Sequence, residues 1–578
     1  MFVLNEKWAS NTLANLGGTA EISLSSLVKS KGWKAYFFHP RFNHKGDFTM
    51  CGFLAVDSKE FDLTTFCDAL EKNVDRGPDM TETVEEDAVM FGFNRLAIMD
   101  LSDDGMQPFK GEDCTLVCNG EIYNFLQLKE NLKDDFSFQS SSDCEVLIPL
   151  YRKYGLDTMC KMLDAEFAFV LYDKVAKKVV AGRDPIGIRP MFYGYTKEKG
   201  EIAFGSTAKT LIDLCDQIFP FPPGHYYDGE KFVTYRDSAM VTRMHTPSFE
   251  EATTVIRDYL VKGVEKRLHA DAPVGYLLSG GLDSSLVCSI ASKLMPGKKL
   301  RTFAIGMDRN PIDLKYAREV ADYLGTDHTE FIMTRDDVLG ALREVIYTLE
   351  TWDITTIRAS IGMYLLCKKI HETTDLKVIL TGECSDEMFG YKYTDYAPNA
   401  EAFQSESMKR VRELYMYDVL RADRCISANS LEGRVPFADL DFVEYVMSLD
   451  PDMKMNHYDK GKYLLRMAFA GQDYLPDDIL MREKAAFSDA VGHSLVNDLK
   501  EYADAKYTDE DVAKASEKYA YKTPFTKESL LYRDIFEEFF PGKAEWIKDY
   551  WMPNSDWEGC DVDDPSARVL SNYGDSGK

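Results

Sequence analysis

The sequence predicts two domains: an α+β antiparallel sandwich, followed by an α/β domain with a parallel sheet and helices on both faces. Three observations carry this reading. The chain has 578 residues, more than one hydrophobic core accommodates. In its first part, short apolar strands are separated by Gly/Pro turns, the pattern of an antiparallel sandwich. From Val274 onward, strands and helices alternate, which predicts a parallel sheet covered by helices.

The expected boundaries are an extension over 1–50, a first domain over 51–235, a linker over 236–251, a second domain over 252–540 and a tail over 541–578. The extension carries one strong apolar cluster, Trp33–Phe38, and no motif. A formal net charge of −28 argues against a nucleic-acid or anionic-membrane partner, which would need a basic face. Twelve cysteines without C-x-x-C or metal-type spacing read as free thiols in a reducing, cytoplasmic setting. No apolar run reaches the ~18 residues of a membrane span, and the first residues show no apolar signal region.

The first domain opens with Cys51 on a strand, Met50-Cys-Gly-Phe-Leu-Ala-Val56. Inside a chain such a cysteine is a core thiol. At a mature N-terminus it joins a thiol nucleophile to a free α-amine, whose pKa near ~8 suits a general base. Arg76–Asp79 reads as a turn, and Phe91–Asp100 as a strand that carries Arg95. Cys118-Asn-Gly-Glu-Ile-Tyr-Asn124 reads as a tight turn entering a helix, because Asn-Gly favours turns. Ser142-Asp143 precedes a helix over Cys144–Tyr154, and Glu166–Asp173 and Val179–Arg183 complete the strands.

In the second domain, Tyr276-Leu-Leu-Ser-Gly-Gly-Leu-Asp-Ser-Ser285 is a strand, a Gly-rich turn and a helix start. Free backbone N–H groups at the helix N-terminus form an anion cradle, and glycine permits close approach of phosphate. Ser279, Ser284 and Ser285 add hydroxyl groups, and Asp283 a carboxylate able to hold Mg²⁺ against phosphate oxygens. The Lys-Ser/Thr ending of a Walker loop is absent. Strand Leu300–Met307, helix Ile312–Leu324, a strand near Phe331, a helix through Ile346 and strand Lys377–Thr381 follow. Ligands of such sheets bind at the carboxyl ends of strands, here Ser279-Gly280 and Thr381-Gly382. Glu383, Asp386 and Glu387 crowd three carboxylates into five residues, which is costly without a cation.

S-G-G-L-D-S-S resembles the pyrophosphate loop of ATP pyrophosphatases, in the form found in glutamine-dependent asparagine synthetases. The likeness covers nearly everything from Met50 onward. It implies an N-terminal-nucleophile sandwich of αββα layers with class II glutamine amidotransferase activity. Cys51 would be the nucleophile, once the residues before it are removed or if Met50 is the true start. Asn119 and the Gly120 N–H would form the oxyanion hole. Arg95, Glu121 and Asp143 would hold glutamine, with the backbone of Leu96, Ala97, Ile98 and Met99 lining the pocket. In the second domain the resemblance implies ATP and Mg²⁺. Leu277, Ile305, Thr381 and Gly382 would meet adenine and ribose. Ser279, Gly280, Gly281, Ser284 and Lys484 would meet the phosphates, and Asp283 and Asp386 the metal. Glu383 would be the base, and Arg358 a partner for the aspartate carboxylate. Arg434–Phe437 matches a motif of the family's helical region. The implied reaction amidates aspartate through β-aspartyl-AMP, giving asparagine, AMP, pyrophosphate and glutamate. Ammonia would pass through an apolar, closed domain interface.

Three departures stand out. Cys384 replaces a glycine of the family's G-E-G-S-D-E motif, Ser141 replaces a glycine, and Ser206-Thr-Ala-Lys209 replaces Ser-Glu followed by Lys. If that glycine needs a positive φ, Cys384 adds strain or shifts Glu383. Rival readings are a related adenylating amide-forming enzyme, an ammonia-dependent synthetase with an inactive glutaminase, and a non-catalytic binding protein. Expected partners are glutamine, aspartate and ATP, with a homodimer left open. The tail reads as docked or flexible, with Asp561–Asp564 solvated.

Overall fold

The computed structural model describes residues 51–58, 62–77, 79–197, 200–309, 311–483 and 494–572. The extension over 1–50 and Lys484 lie outside the described residues.

Among the described residues, twelve strands build the first domain: β1 (Gly52–Asp57), β2 (Met80–Glu86), β3 (Val89–Arg95), β4 (Phe109–Lys110), β5 (Cys114–Ile122), β6 (Ala165–Asp173), β7 (Lys178–Arg183), β8 (Phe192–Thr196), β9 (Ile202–Gly205), β10 (Cys215–Pro220), β11 (His225–Tyr227) and β12 (Phe232–Thr234). They form two antiparallel six-stranded sheets, ordered β10-β8-β9-β1-β3-β2 and β12-β11-β7-β6-β5-β4. Side chains alternate between faces along each strand. Phe53 and Ala55 of β1 therefore meet Val117 of β5 and Ala168 and Val170 of β6 between the sheets. Leu54 and Val56 point the other way, onto Phe66 and Leu70 of helix Leu63–Glu71. On the far face of the second sheet, Leu116, Phe169 and Leu171 pack on Leu147 and Leu150 of helix Leu147–Tyr154. The result is the expected αββα sandwich.

The Asn119-Gly120 pair is not a turn. It lies within the long strand β5, with Asn119 opposite Ala168 and Gly120 opposite Phe167. A Cβ on Gly120 would stand 2.5 Å from the Glu166 carbonyl oxygen, so glycine serves close strand packing here. The local Asn-Gly preference yields to the ladder with β6.

The second domain holds a parallel sheet of β13 (Val274–Leu277), β14 (Arg301–Met307), β15 (Asp327–Met333), β16 (Val378–Leu380) and β17 (Glu432–Arg434), in the order β15-β14-β13-β16-β17. Helices Leu282–Leu294, Ile312–Leu324, Arg335–Leu349 and Ile354–Thr373 connect the strands. The strand order reverses between β13 and β16. A crevice therefore opens at their carboxyl ends, where such folds bind ligands. Arg434 ends β17 rather than lying in a helical region, and Pro436–Ala438 is a single 3-10 turn.

The tail is docked. Trp546 Nε1 donates to the Glu350 carbonyl at 2.9 Å, and the Trp551 N–H donates to Asp353 Oδ1 at 2.7 Å. Asp564 is not solvated as expected: it accepts from Arg358 Nη1 at 2.8 Å and also binds Lys500.

Candidate active sites

The first site is built where β1, β3 and β5 begin or end. All twelve cysteines are free, and Cys51 alone is not fully buried. The Leu96 N–H donates to its Sγ at 3.3 Å, and the thiol faces the Leu96 carbonyl at 3.4 Å. Burial pushes this thiol up to about 12 in the chain as it stands, so it carries no thiolate at neutral pH. Its surroundings include Arg95 and Glu121, both close enough to act on its charge. Asn119 Nδ2 is buried with no hydrogen-bond partner among the described residues. A buried donor of this kind costs about 1–3 kcal/mol unless something accepts from it. That is the donor an oxyanion hole needs.

Arg95 anchors the loop after β3 by donating to the Ser102 carbonyl at 2.6 Å and to the Asp100 carbonyl. Asp143 Oδ2 accepts the Ile122 N–H at 2.6 Å, and burial raises its pKa. The Ala97 N–H donates to Asp79, and the Asp271 N–H donates to the Ile98 carbonyl, which ties the segment from Leu96 to Met99 to both domains. Glu121 is not a free polar contact: Arg434 of the second domain lies 2.8 Å from its carboxylate. Burial raises the pKa of Glu121, and Arg434 opposes that shift. Ser141 and Ser206 sit at structural positions. The Ser141 N–H donates to Asp100 at 2.7 Å, and Ser206 Oγ accepts the Phe53 N–H at 3.0 Å.

The second site is the crevice. Leu277, Ser279, Gly281, Asp283, Ser284, Ile305, Thr381, Gly382, Glu383 and Asp386 all line one cleft. Gly280 takes φ +72, and a Cβ there would stand 2.4 Å from the Ala317 nitrogen. A Cβ on Gly382 would stand 2.6 Å from the Ser284 nitrogen, so the close approach of the two loops requires glycine at 382. Ser284 Oγ accepts the Ser279 N–H at 3.2 Å, closing the turn into the helix. Phe303, Met363 and Leu366 give the cleft an apolar wall.

The crowded carboxylates find cations that the sequence reading missed. Lys462 Nζ lies 2.9 Å from both Asp283 oxygens and also contacts Asp386 and Ser385. Arg421 donates to Glu383 at 2.5 Å and to Asp418 at 2.7 Å. Burial and the neighbouring Asp418 and Asp386 push Glu387 well above the usual carboxylate range. Lys462 lies 179 residues from Asp283 and Arg421 38 residues from Glu383, so no local spacing could reveal these two contacts.

Arg358 requires a correction. It borders the cleft, but its fork is taken by Glu528, by Asp564 at 2.8 Å and by Ser566 Oγ at 2.8 Å. A guanidinium paired on both edges is a structural tie rather than a site for the aspartate carboxylate.

Cys384 sits at φ +78 and is buried. A side chain in this left-handed region costs about 1–2 kcal/mol. Cys384→Gly should therefore be more stable than Cys384→Ala by about 0.5–1 kcal/mol, since both lose the sulfur and only glycine relieves the strain. Urea denaturation of the pair measures this. Equal stabilities would show that the backbone stores no strain there.

The interface between the domains is not wholly apolar, contrary to expectation. Arg76 pairs with Asp423 at 2.8 Å, Arg267 with Glu166 at 2.8 Å, and Arg189 lies 3.4 Å from Glu432. These groups are buried. Buried pairs add little net stability, but breaking one leaves an uncompensated charge at roughly 3–5 kcal/mol.

A sandwich with a cysteine at the head of an interior strand and an α/β domain with a phosphate cradle define an amidotransferase joined to an ATP-using synthetase. The comparisons name the pair. The glutamine amidotransferase domain family matches residues 50–221, and the asparagine synthase family matches 255–404 and 394–562. A probable glutamine-hydrolysing asparagine synthetase of Schizosaccharomyces pombe is 43% identical over 558 residues, covering 91% of this chain and 99% of the relative. The glutamine-hydrolysing asparagine synthetase of Homo sapiens is 40% identical over 565 residues, covering 91% and 99%. A probable one of Acanthamoeba polyphaga mimivirus is 39% identical over 557 residues, covering 90% and 100%. The chain belongs to the family of glutamine-hydrolysing asparagine synthetases and is a ligase.

Proposed function

We propose the following division of labour in the glutamine-dependent, ATP-driven amidation of aspartate to asparagine. Cys51 attacks the glutamine carboxamide, its own α-amine, freed by loss of the preceding residues, takes the thiol proton and passes it to the departing ammonia, and water hydrolyses the resulting thioester to glutamate. Asn119 Nδ2 and the Gly120 N–H receive the oxyanion. Arg95, Glu121 and Asp143 hold the ends of glutamine. Ammonia then crosses the buried interface to the cleft.

There, ATP lies with its base against Leu277 and Ile305 and with its phosphates on the loop from Ser279 to Ser284. The aspartate β-carboxylate attacks the α-phosphorus and expels pyrophosphate, and ammonia then displaces AMP from β-aspartyl-AMP to give asparagine. Glu383, aimed by Arg421, is the proposed base. Asp283 and Asp386 are the proposed Mg²⁺ ligands. Their fit rests on their convergence on a single cation, the Lys462 ammonium. Among the described residues no cluster of three or more His, Cys, Asp or Glu side chains could hold a metal. Phosphate oxygens would complete a two-carboxylate Mg²⁺ site, as they commonly do. The metal would neutralise phosphate charge. A cytoplasmic location is proposed from the twelve free thiols. No helix among the described residues is long and apolar enough to cross a membrane. Homodimerisation rests on resemblance alone.

The observation that carries this reading is the unpartnered Asn119 donor in the domain that holds the Cys51 thiol. The test is the intact mass of the native protein together with asparagine formation from glutamine. A chain starting at Cys51 that forms asparagine and glutamate in equal amounts supports it. A chain that keeps the extension and uses only ammonia overturns the role of Cys51.

A further inference from the structure

One arginine touches both sites. The Arg434 side chain, fully buried, reaches Glu121 at 2.8 Å. Glu121 follows Asn119 by two residues on β5, so the two side chains share a face of the strand. The backbone carbonyl of Arg434 accepts the Thr381 N–H at 3.0 Å, at the strand end that borders the nucleotide cleft.

Arg434 is itself fixed from three directions. Its Nη1 donates to the Arg267 carbonyl at 3.1 Å and to the His269 carbonyl at 2.5 Å, and its Nε donates to Glu432 at 2.8 Å. It therefore cannot follow Glu121; Glu121 must follow it. The other carboxylates acting on Glu121 are Glu432 and Asp143, both buried. Without Arg434, Glu121 would face Glu432 and Asp143 with Arg189 as the remaining neighbouring cation, and like-charge repulsion would shift its carboxylate from the position that Arg434 sets.

We propose that Arg434 is a positioning residue for the glutaminase. It holds Glu121 in place, so the glutamine pocket is complete only when the synthetase domain is docked. This rests on the assignment of Glu121 to the glutamine pocket.

The test compares Arg434→Met and Arg434→Lys with the unaltered enzyme. Glutamate release is measured against glutamine concentration, and asparagine formation against ammonia, on the same preparations. Arg434→Met should raise the KM for glutamine at least tenfold and keep ammonia-dependent synthesis within threefold. Arg434→Lys keeps the charge and should recover part of the glutamine KM. A glutamine KM within twofold of the unaltered enzyme overturns the proposal. So does a parallel loss of both activities that lysine fails to relieve. If the methionine variant does not fold, the lysine variant decides by the same split between the two nitrogen donors. A Glu121→Ala arm separates the two assumptions. If it leaves the glutamine KM unchanged, the pocket assignment fails; if it raises KM while the Arg434 variants do not, only the role of Arg434 fails.

Discussion

Cys51→Ala is expected to abolish glutamine-dependent asparagine formation, by roughly 10⁴-fold or more, while ammonia-dependent formation stays within about threefold. The size of the effect follows from chemistry: no other nucleophile is in place to form the thioester. The selectivity follows from the two-site architecture. Cys51 packs at the edge of the sandwich core, and its sulfur is the acceptor for one N–H group, that of Leu96. Removing it leaves one unsatisfied donor, about 1–3 kcal/mol, too little to unfold a chain of this size. Both rates are measured on one preparation with glutamine and then with an ammonium salt. Equal loss with both donors would mean that the variant damages the fold. Retained glutamine use would remove Cys51 from the reaction.

Asp283→Asn is expected to reduce ATP- and aspartate-dependent pyrophosphate release by about 10³-fold, and Asp386→Asn by a similar factor. Glutamate release from glutamine should change little. Asp283 stands in the first turn of helix Leu282–Leu294, where its carboxylate both faces the cleft and accepts from Lys462. Asparagine keeps the size and one acceptor but loses the charge that attracts a cation beside the phosphates. The readout is pyrophosphate release at saturating ammonia, with glutaminase as the internal control. Excess chelator should reproduce the same split in the unaltered enzyme. A loss of less than tenfold in either variant would remove that carboxylate from the metal site.

Much of this arrangement was legible in the residues. The loop from Ser279 to Ser285 reads as a cradle because strand, glycines and helix start are contiguous, and contiguous features survive folding. The alternation after Val274 gave the parallel sheet and placed Thr381-Gly382 beside the cradle, and the two loops do line one cleft. Cys384 was recognisable as a misfit, since a replaced glycine matters where φ is positive, and its φ is +78. Other readings failed where long-range contacts override local preference. Asn119-Gly120 looks like a turn, yet pairing with β6 across Ala168 and Phe167 holds it in a strand. Arg358 looks available for substrate, yet Glu528 and Asp564, 170 and 206 residues away, fill its fork. The domain interface was expected to be apolar, yet it contains the ion pairs of Arg76, Arg189, Arg267 and Arg434.

The sequence by itself determined the two chemistries: a cysteine at the head of a sandwich strand, and a Gly-rich loop with carboxylates at the ends of parallel strands. These are local patterns, because a turn, a cradle and an alternation are set by neighbouring residues. Only the tertiary structure decided which charges meet. Lys462 reaches Asp283, Arg421 reaches Glu383 and Arg434 reaches Glu121 through the packing of separate elements. Buried charges must find partners, but a long side chain can take one from any element folded against it, and sequence spacing holds no record of that choice.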